Sequence, residues 1–391
     1  MATRPAADTV PLVLACWLFL RQARRLRQLH RTIRLLDGSP QTEPTIKQVV
    51  IPCFEESEAA PITAAFFNSR YPETPVTFLV SAAEPQQATT VALRNHPVEV
   101  ELVAGSNHTK AALVNAFSSH AESPFALYDA DSAPVTLPAQ PAFPTEVIQQ
   151  LALYIPPSGA GAFWRGVGLN QSRWALSFEA SNSQRRHGWY LVGHGVAIHP
   201  ALLREHPFHP DIMHGEDLEL GYRLSYLGVR LRIDYSGVDH CEVPTGIDEL
   251  IEQSARWFIG EVGALSQSVR RFGPRPRLLL RFCGLGYWVV GPAWLAALVA
   301  TSVRRRRWST LVVLIAASNL ELMSFTRLNN WFEARGLPTA RNASGLAGYF
   351  VKPAIFSLGA LRAFIRYRLG YAASSPRKAR NGPRSMRQER W

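Results

Sequence analysis

The sequence has few acidic residues and very few lysines. Of its 391 residues, 42 are Lys or Arg and 30 are Asp or Glu, so the formal net charge is +12, and only four of the cations are lysines. Arginines concentrate in residues 21–34, 304–307 and 362–390, and each stretch borders an apolar run. The sequence contains no zinc-finger pattern or other nucleic-acid module. We therefore expect no nucleic-acid partner. We expect the arginine-rich stretches to lie beside a membrane surface.

Cysteine is also scarce. Cys16, Cys53, Cys241 and Cys283 lie far apart, and their spacing matches neither a zinc site nor a redox pair. Cys16 and Cys283 lie inside apolar runs, so we predict buried free thiols in a reducing compartment. Disorder is excluded because 47% of the residues are hydrophobic and only 18% are charged, and the length predicts two or three domains.

Residues 282–303 contain no charged side chain and are long enough to cross about 30 Å of hydrocarbon as a helix. Residues 308–326, interrupted by Glu321, and residues 346–365, broken by Lys352 and Pro353, are weaker candidates that could be buried core helices. The last segment could equally lie in the membrane interface. An apolar run at residues 10–20 precedes a basic stretch, the reverse of the order in a cleaved signal peptide. This order places the following domain in the cytosol.

Residues 45–265 alternate short apolar runs with amphipathic segments, which is typical of an α/β fold. Strands are predicted at residues 46–53, 76–82, 98–103 and 125–129, and helices at residues 56–70, 85–95 and 109–120. Such spacing predicts a parallel sheet that binds ligands beyond the carboxyl ends of its strands. The proline-rich loop at residues 133–144 is interpreted as the seam between a nucleotide-binding half and an acceptor half.

Two pairs of acidic residues stand at the ends of these elements. Asp129 and Asp131 follow the fourth strand, where hard oxygen ligands can hold Mg²⁺ or Mn²⁺ against a diphosphate, although a solvated turn has the same pattern. Glu216 and Asp217 open an amphipathic helix, where acids also serve as ordinary partners of the helix dipole. The apolar side of that helix is marked by Leu218, Leu220, Leu224 and Leu227.

A third group follows in QSARW at residues 253–257. Gln253, Arg256 and Trp257 are spaced i, i+3 and i+4, so they share one helix face and could offer an amide, a guanidinium and an indole to one site. The alternative is a tryptophan in the core with the arginine at the surface.

Taken in order, VVIPCFEE, KAALVN, YDADS, GHG, GEDLELGYRL and QSARW resemble the inverting glycosyltransferases of family 2. The resemblance covers about residues 46–262 and is to the membrane-bound branch with a Gln-x-x-Arg-Trp motif, which includes ceramide glucosyltransferases and the cellulose, chitin and hyaluronan synthases. It implies an A-type glycosyltransferase fold, with a Rossmann-like, mostly parallel sheet, followed by interfacial and transmembrane helices.

The resemblance also implies roles for individual residues. Asp217 corresponds to the general base, and Asp129 and Asp131 flank the sugar-nucleotide diphosphate, with Asp131 the better metal ligand. Arg256 is implied as a fixed cation for the leaving group, and Lys110 matches a position near the nucleotide. Three further residues, Glu216, Gln253 and Trp257, are implied to line the acceptor site.

This sequence departs from the family pattern in two places. The usual Asp after the second strand is missing, and only Glu84 could replace it. The usual Asn after the first strand is Glu55, followed by the expected acid Glu56. His194 in GHG could contact the acceptor or be a buried structural histidine, and His240 is considered as a further metal ligand.

We therefore expect an integral membrane enzyme that moves a hexose, with inversion, from a UDP-type sugar to a lipid or lipid-linked glycan. The expected partners are the donor, the acceptor, the membrane and Mg²⁺ or Mn²⁺. One alternative is a synthase or extender of an exported polysaccharide, and another is a degenerate membrane scaffold. The expected division is a membrane-associated segment at residues 1–44, a cytosolic catalytic domain at 45–265, interfacial and transmembrane helices at 266–368 and a basic disordered tail at 369–391.

Overall fold

The computed structural model describes residues 6–40, 46–104, 109–183, 191–210, 212 and 214–368. The predicted basic tail lies outside these residues. The strands are β1 Val49–Cys53, β2 Val76–Ser81, β3 Glu99–Val103, β4 Phe125–Leu127, β5 Ala133–Pro134, β6 Glu146–Ile155, β7 Val196–Ile198 and β8 Arg230–Glu242. The helices are α1 Ala6–Gly38, α2 Ala59–Arg70, α3 Ala88–Leu93, α4 Lys110–His120, α5 Ala162–Trp174, α6 Ala180–Ser183, α7 Pro200–Glu205, α8 Glu216–Tyr226, α9 Ile247–Phe272, α10 Pro276–Arg304, α11 Trp308–Glu333 and α12 Ala343–Arg368.

The eight strands of the described residues form one sheet in the order β3-β2-β1-β4-β7-β6-β8-β5. The first four predicted strands are confirmed, and they pair in parallel as expected, with Val49 opposite Val76 and Ala126. The side chains of β1 and β2 are buried on both faces by the crossover helices, which is why these runs are mainly apolar. β3 is the edge strand, and most of its side chains are half-buried or exposed. This parallel half places the ends of β1 and β4 at one edge.

The second half of the sheet is mixed. β7 pairs antiparallel with both β4 and β6, while β6 and β8 form a long parallel pair with an irregularity between Gln150 and Leu151. The short strand β5 comes directly after the Asp129–Asp131 turn and pairs antiparallel with β8, with Ala133 opposite His240. The predicted seam loop therefore leads from the parallel half into the mixed half.

Within the described ranges, three helices are long and apolar enough to cross a membrane: α10, α11 and residues Ala343–Arg366 of α12. They correspond to the three segments predicted from the sequence. α12 also packs against α5 and α9, and its glycines allow close approach: a Cβ on Gly348 would meet Phe163 O at 1.9 Å, and one on Gly359 would meet Ile251 O at 2.4 Å. The N-terminal apolar run and the basic stretch form one helix, α1, which packs on α11.

Two predictions about burial are wrong. Cys16 and Cys283, expected to be buried, are exposed, whereas Cys53 is buried. Within the described residues none of the four cysteines forms a disulfide. The exposed pair lies on the apolar helices α1 and α10, whose outer faces contact no other part of the described protein. Leu227, expected on the apolar side of α8, is 44% exposed because the helix ends at Tyr226, whereas Leu218, Leu220 and Leu224 are buried as predicted.

Candidate active site

Lys110 links three segments at the carboxyl edge of the sheet. It is the first residue of α4, whose start is capped by the Thr109 side chain accepting a hydrogen bond from Ala112 N. Its Nζ donates to Asp129 Oδ1 at 2.5 Å and to the carbonyl oxygen of Gly193 at 2.5 Å. The lysine therefore fixes the turn after β4 against the loop before β7.

Asp217 completes this arrangement from the first turn of α8. Its Oδ2 accepts a hydrogen bond from Gly193 N at 2.6 Å, and its Oδ1 accepts one from Leu218 N at 2.8 Å. A Cβ on Gly193 would lie 2.8 Å from both Asp217 Oδ2 and Lys110 Nζ, so a larger residue there would displace these two side chains. We call Lys110, Asp129, Gly193 and Asp217 the charged cluster.

Burial and neighbouring charge shift the acid–base equilibria here. Burial raises the pKa of Asp217, although Lys110 and two backbone N–H groups oppose it, and the nearby Asp129 adds to the rise. Burial and the Asp217 charge raise the pKa of Glu216 to about 8. Burial lowers the pKa of Lys110, but the surrounding carboxylates outweigh it and raise that pKa overall. A carboxyl with a raised pKa in such a place suits proton transfer.

Arg256 faces this edge from α9. Burial lowers its pKa, while the charges of Asp131, Glu252 and Glu56 act in the opposite direction. Among the residues that the structure describes, Asp131 makes no hydrogen bond. The Arg256 guanidinium and the Asp131 carboxylate therefore lie within electrostatic range of each other.

The other two residues of QSARW have different surroundings. Gln253 Oε1 accepts a hydrogen bond from Gln171 Nε2 at 3.1 Å, which ties α9 to α5. The Trp257 ring packs 6.1 Å from Tyr154 and 5.6 Å from Phe356, measured between centroids. The shared helix face is present, but only Arg256 is directed at the acidic turn. The acceptor roles of Gln253 and Trp257 stay predictions.

Glu84 is held inside the loop after β2. Its carboxylate accepts hydrogen bonds from Glu55 N at 2.7 Å, from Thr89 N at 3.1 Å and from Thr89 Oγ1 at 2.5 Å. Glu56 N in turn donates to Thr89 Oγ1 at 3.0 Å, and Glu55 has a positive φ of 55°. Glu84 thus shapes the loop that carries Glu56, and a direct contact with the nucleotide stays a prediction.

A second group, which we call the histidine cluster, consists of Ser132, His194, Asp239 and Cys241. His194 Nδ1 donates to Asp239 Oδ2 at 2.8 Å, and Ser132 Oγ donates to the same oxygen at 3.0 Å. Cys241 Sγ lies 3.6 Å from His194 Nδ1. Burial lowers the pKa of His194, but the Asp239 hydrogen bond and the Asp129 and Glu179 charges raise it to about 9. His194 is therefore a buried, ion-paired histidine.

Sequence reasoning missed Asp239 and Glu179. Asp239 lies on β8 next to His240, and alternation along a strand would have placed Asp239 and Cys241 on the same face. Glu179 ends the π-helical turn Ala175–Glu179, and burial raises its pKa to about 7, with His194 opposing and Asp217 adding to the shift. No periodicity in the sequence predicts that turn.

The two clusters differ in how well they suit a divalent metal. Asp129 and Asp131 offer carboxylate oxygens, the ligands that Mg²⁺ and Mn²⁺ prefer, and Asp131 is free of hydrogen bonds among the described residues. His194, Asp239 and Cys241 have ligand atoms within 4.8 Å of one another, but His194 and Asp239 already neutralise each other. The Asp129–Asp131 turn therefore fits a hard cation better. His240 lies on β8 opposite Ala133, and its role as a further ligand stays a prediction.

Residues 148–321 match the family described as Glycosyl transferase family group 2. The matched segment is that of a glycosyltransferase. It includes Asp217, Gln253, Arg256 and the first candidate membrane helix. Together with the sheet order, this match confirms the A-type glycosyltransferase fold expected from the sequence.

Several solved structures are similar to this chain. Glucosyl-3-phosphoglycerate synthase from Mycobacterium tuberculosis, in complex with Mn²⁺, UDP and phosphoglyceric acid, is 15% identical, with 60% of this chain and 82% of that chain covered at a TM-score of 0.35. TarS residues 1–349 from S. aureus is 12% identical, with coverages of 83% and 91% and a TM-score of 0.34. No match is found among curated proteins.

Proposed function

We propose that this glycosyltransferase moves a hexose, with inversion at the anomeric carbon, from a UDP-type sugar to the hydroxyl of a membrane lipid or lipid-linked glycan. The observation that carries the proposal is Asp217, a half-buried carboxylate fixed by Gly193 N and Leu218 N at the carboxyl edge of the sheet. Its raised pKa suits a general base.

In this proposal Asp217 accepts the proton of the acceptor hydroxyl while that oxygen attacks the anomeric carbon. The bond to the diphosphate breaks on the opposite face, so the configuration inverts. Lys110 keeps Asp217 ionised by its charge and positions Asp129 at the same time. Glu216 would line the acceptor side, where its raised pKa keeps it neutral and able to donate a hydrogen bond near pH 7.

The leaving diphosphate would lie between the Asp129–Asp131 turn and Arg256. Mg²⁺ or Mn²⁺, held by Asp131 with Asp129, would supply neutralisation of the diphosphate charge. Arg256 would add a fixed guanidinium on the opposite side, since it already lies within the electrostatic range of Asp131. Because Glu56 also lies within this range, the loop shaped by Glu84 would border the donor.

The packing of the site against the apolar helices supports a membrane-associated acceptor. α9 carries Arg256 and packs against both α10 and α12, which are long and apolar enough to span a membrane. A hydroxyl at the membrane surface would thus be within reach of α8 and α9. We place the catalytic domain in the cytosol, where nucleotide sugars are made and where the arginines that follow the N-terminal apolar run favour it.

The test is nucleotide release from membranes that contain the chain, with a panel of sugar nucleotides, Mn²⁺ and an added lipid extract. Release from one donor, stimulated by the lipid and lost in Asp217→Asn, is the expected result. Equal release from wild type and Asp217→Asn with every donor would contradict the proposal and favour a non-catalytic scaffold. Products that grow into long polymers would favour the polysaccharide synthase.

A further inference from the structure

A second concentration of charge lies away from the charged cluster, where α1, α5, α11 and α12 meet. It consists of Arg21 and Arg25 on α1, Arg173 on α5 and Lys352 on α12, which we call the cation cluster. Arg173 is 6% exposed and Lys352 is 7% exposed. Four cations, two of them buried, thus share one junction between the catalytic domain and the apolar helices.

Only one carboxylate balances them among the described residues. Arg173 Nη1 donates to Glu321 Oε2 on α11 at 2.6 Å. Arg21 and Arg25 lie within electrostatic range of both Arg173 and Glu321, and Lys352 lies within range of Arg173 and Arg25. Lys352 forms no ion pair or hydrogen bond within the described ranges. The cluster therefore has an excess of positive charge, which costs free energy unless an anion is present.

Aromatic rings hold the cations in place without neutralising them. Lys352 Nζ lies 3.5 Å from the centroid of Phe356, Arg173 Cζ lies 5.6 Å from that of Tyr349, and Arg21 Cζ lies 4.4 Å from that of Tyr287. A cation–π contact orients a cation but does not neutralise it, because the ring carries no net charge. In addition, Arg173 Nε is buried and has no hydrogen-bond partner.

The open side of the cluster faces apolar surface. Arg21 and Arg25 are only half-buried, and the preceding turns of α1 expose Val13, Trp17 and Leu20. A ligand bound here would place its charged group among the cations. Its apolar chains would lie along α1. A lipid with an anionic headgroup has this shape, whereas a soluble anion would leave the apolar surface uncovered.

We propose that the cation cluster binds the phosphate of an anionic lipid headgroup. The site is separate from the charged cluster that would transfer the sugar, and the proposal does not depend on hexosyl transfer. The phosphate oxygens accept hydrogen bonds from Arg25, Arg173 and Lys352, and Arg21 closes the side nearest the acyl chains. The bound lipid then joins α1 and α12 to the catalytic domain through α5.

The test uses the full chain in phosphatidylcholine nanodiscs with and without phosphatidylglycerol, and native mass spectrometry to count the phosphatidylglycerol retained on release. We expect Arg25→Gln and Lys352→Met each to weaken retention about tenfold, the usual scale for losing one charge-assisted hydrogen bond. Arg27→Gln is the matched control, because Arg27 has the same charge on the same helix but is exposed. It should retain the lipid as the wild type does.

Thermal unfolding separates a binding role from a folding role. Phosphatidylglycerol should raise the unfolding temperature of the wild type and of Arg27→Gln but not of Lys352→Met, while Lys352→Met without the lipid should be at least as stable as the wild type. A second arm adds inorganic phosphate in phosphatidylcholine alone. The proposal is overturned if both cluster variants retain the lipid normally, if Arg27→Gln loses as much, or if only inorganic phosphate stabilises the wild type in an Arg25-dependent way.

Discussion

The charged cluster and the histidine cluster are neighbours in the chain, since Gly193 belongs to one and His194 to the other, but they are organised differently. In the histidine cluster each charge has its partner: His194 and Asp239 pair at 2.8 Å, and Asp239 is fully buried. In the charged cluster Lys110 pairs with Asp129 and also lies within electrostatic range of Asp217 and Glu216. Among the described residues, a single cation in this cluster therefore balances three carboxyl groups. We infer from this difference that the completed ion pair has a structural role, whereas the incomplete charge balance belongs to the cluster for which we propose chemistry.

The comparison predicts the largest effect for Asp217→Asn. Removing the base should lower the rate of sugar transfer by about a thousandfold or more, within the range for a general base in a preorganised site. The unfolding temperature should change by only a few degrees, because a half-buried carboxyl with a raised pKa contributes little to stability. Steady-state kinetics and calorimetry on the same preparation measure both quantities.

Asp248→Asn provides the matched control, because Asp248 is also an acid in the first turn of a helix but is exposed. It should leave the rate unchanged. Full transfer activity in Asp217→Asn would show that the charged cluster is structural like its neighbour.

Asp239→Asn should have the reverse effect, a loss of stability of about 3 kcal/mol, as expected when one partner of a buried ion pair is removed. The loss should depend on pH. Because the pKa of His194 is raised to about 9, the pair's contribution in the wild type is complete below pH 6.5 and is lost as the pH rises through 9. Denaturant unfolding between pH 6 and 10 tests this, and a pH-independent difference between the two proteins would argue against the ion pair.

These two clusters show how far the sequence alone could reach. β1 to β4 and the acids at their ends were predictable because short β-branched runs and flanking carboxylates are local patterns. The partner of Asp217 is a backbone N–H of Gly193, 24 residues away, and no local pattern encodes such a contact. Asp239 contacts His194 only because β8 pairs with β6 in the sheet.

The apolar segments show a second limit. Their lengths predicted the three long helices, because the length of an uninterrupted apolar run is enough to indicate a helix that could span a membrane. The same hydrophobicity misled the prediction for Cys16 and Cys283, since an apolar run on an outer helix face is not covered by the rest of the described protein. The roles of Gln253, Trp257 and Glu84 depended on tertiary contacts with α5, α12 and the loop after β1, which a sequence pattern does not specify.

Gly193→Ala should reduce sugar transfer by about a hundredfold. The added Cβ would stand 2.8 Å from Asp217 Oδ2 and Lys110 Nζ, and a displacement of about 1 Å in a catalytic group has this order of effect. Gly263→Ala is the control, because a Cβ there would meet nothing within 4 Å. Transfer rates of the two variants, measured at equal amounts of folded protein, should differ by that factor, and equal rates would mean that the site tolerates the displacement.

The smallest effect is expected for Lys110→Met, in the pH dependence. The Lys110 charge lowers the pKa of Asp217, so its removal should raise that pKa further and move the acidic limb of kcat/KM upward by about one pH unit. The exposed Lys47→Met serves as the control. An acidic limb that stays in place would show that Lys110 does not control the ionisation of the base.

The central claim, direct displacement with Asp217 as the base, is tested most directly by the configuration of the first-formed product. With the donor that the panel identifies, NMR of the anomeric proton of the glycolipid should show a β linkage when the donor is α-linked. An α-linked product from the same donor would contradict the account, because retention cannot arise from a single in-line attack.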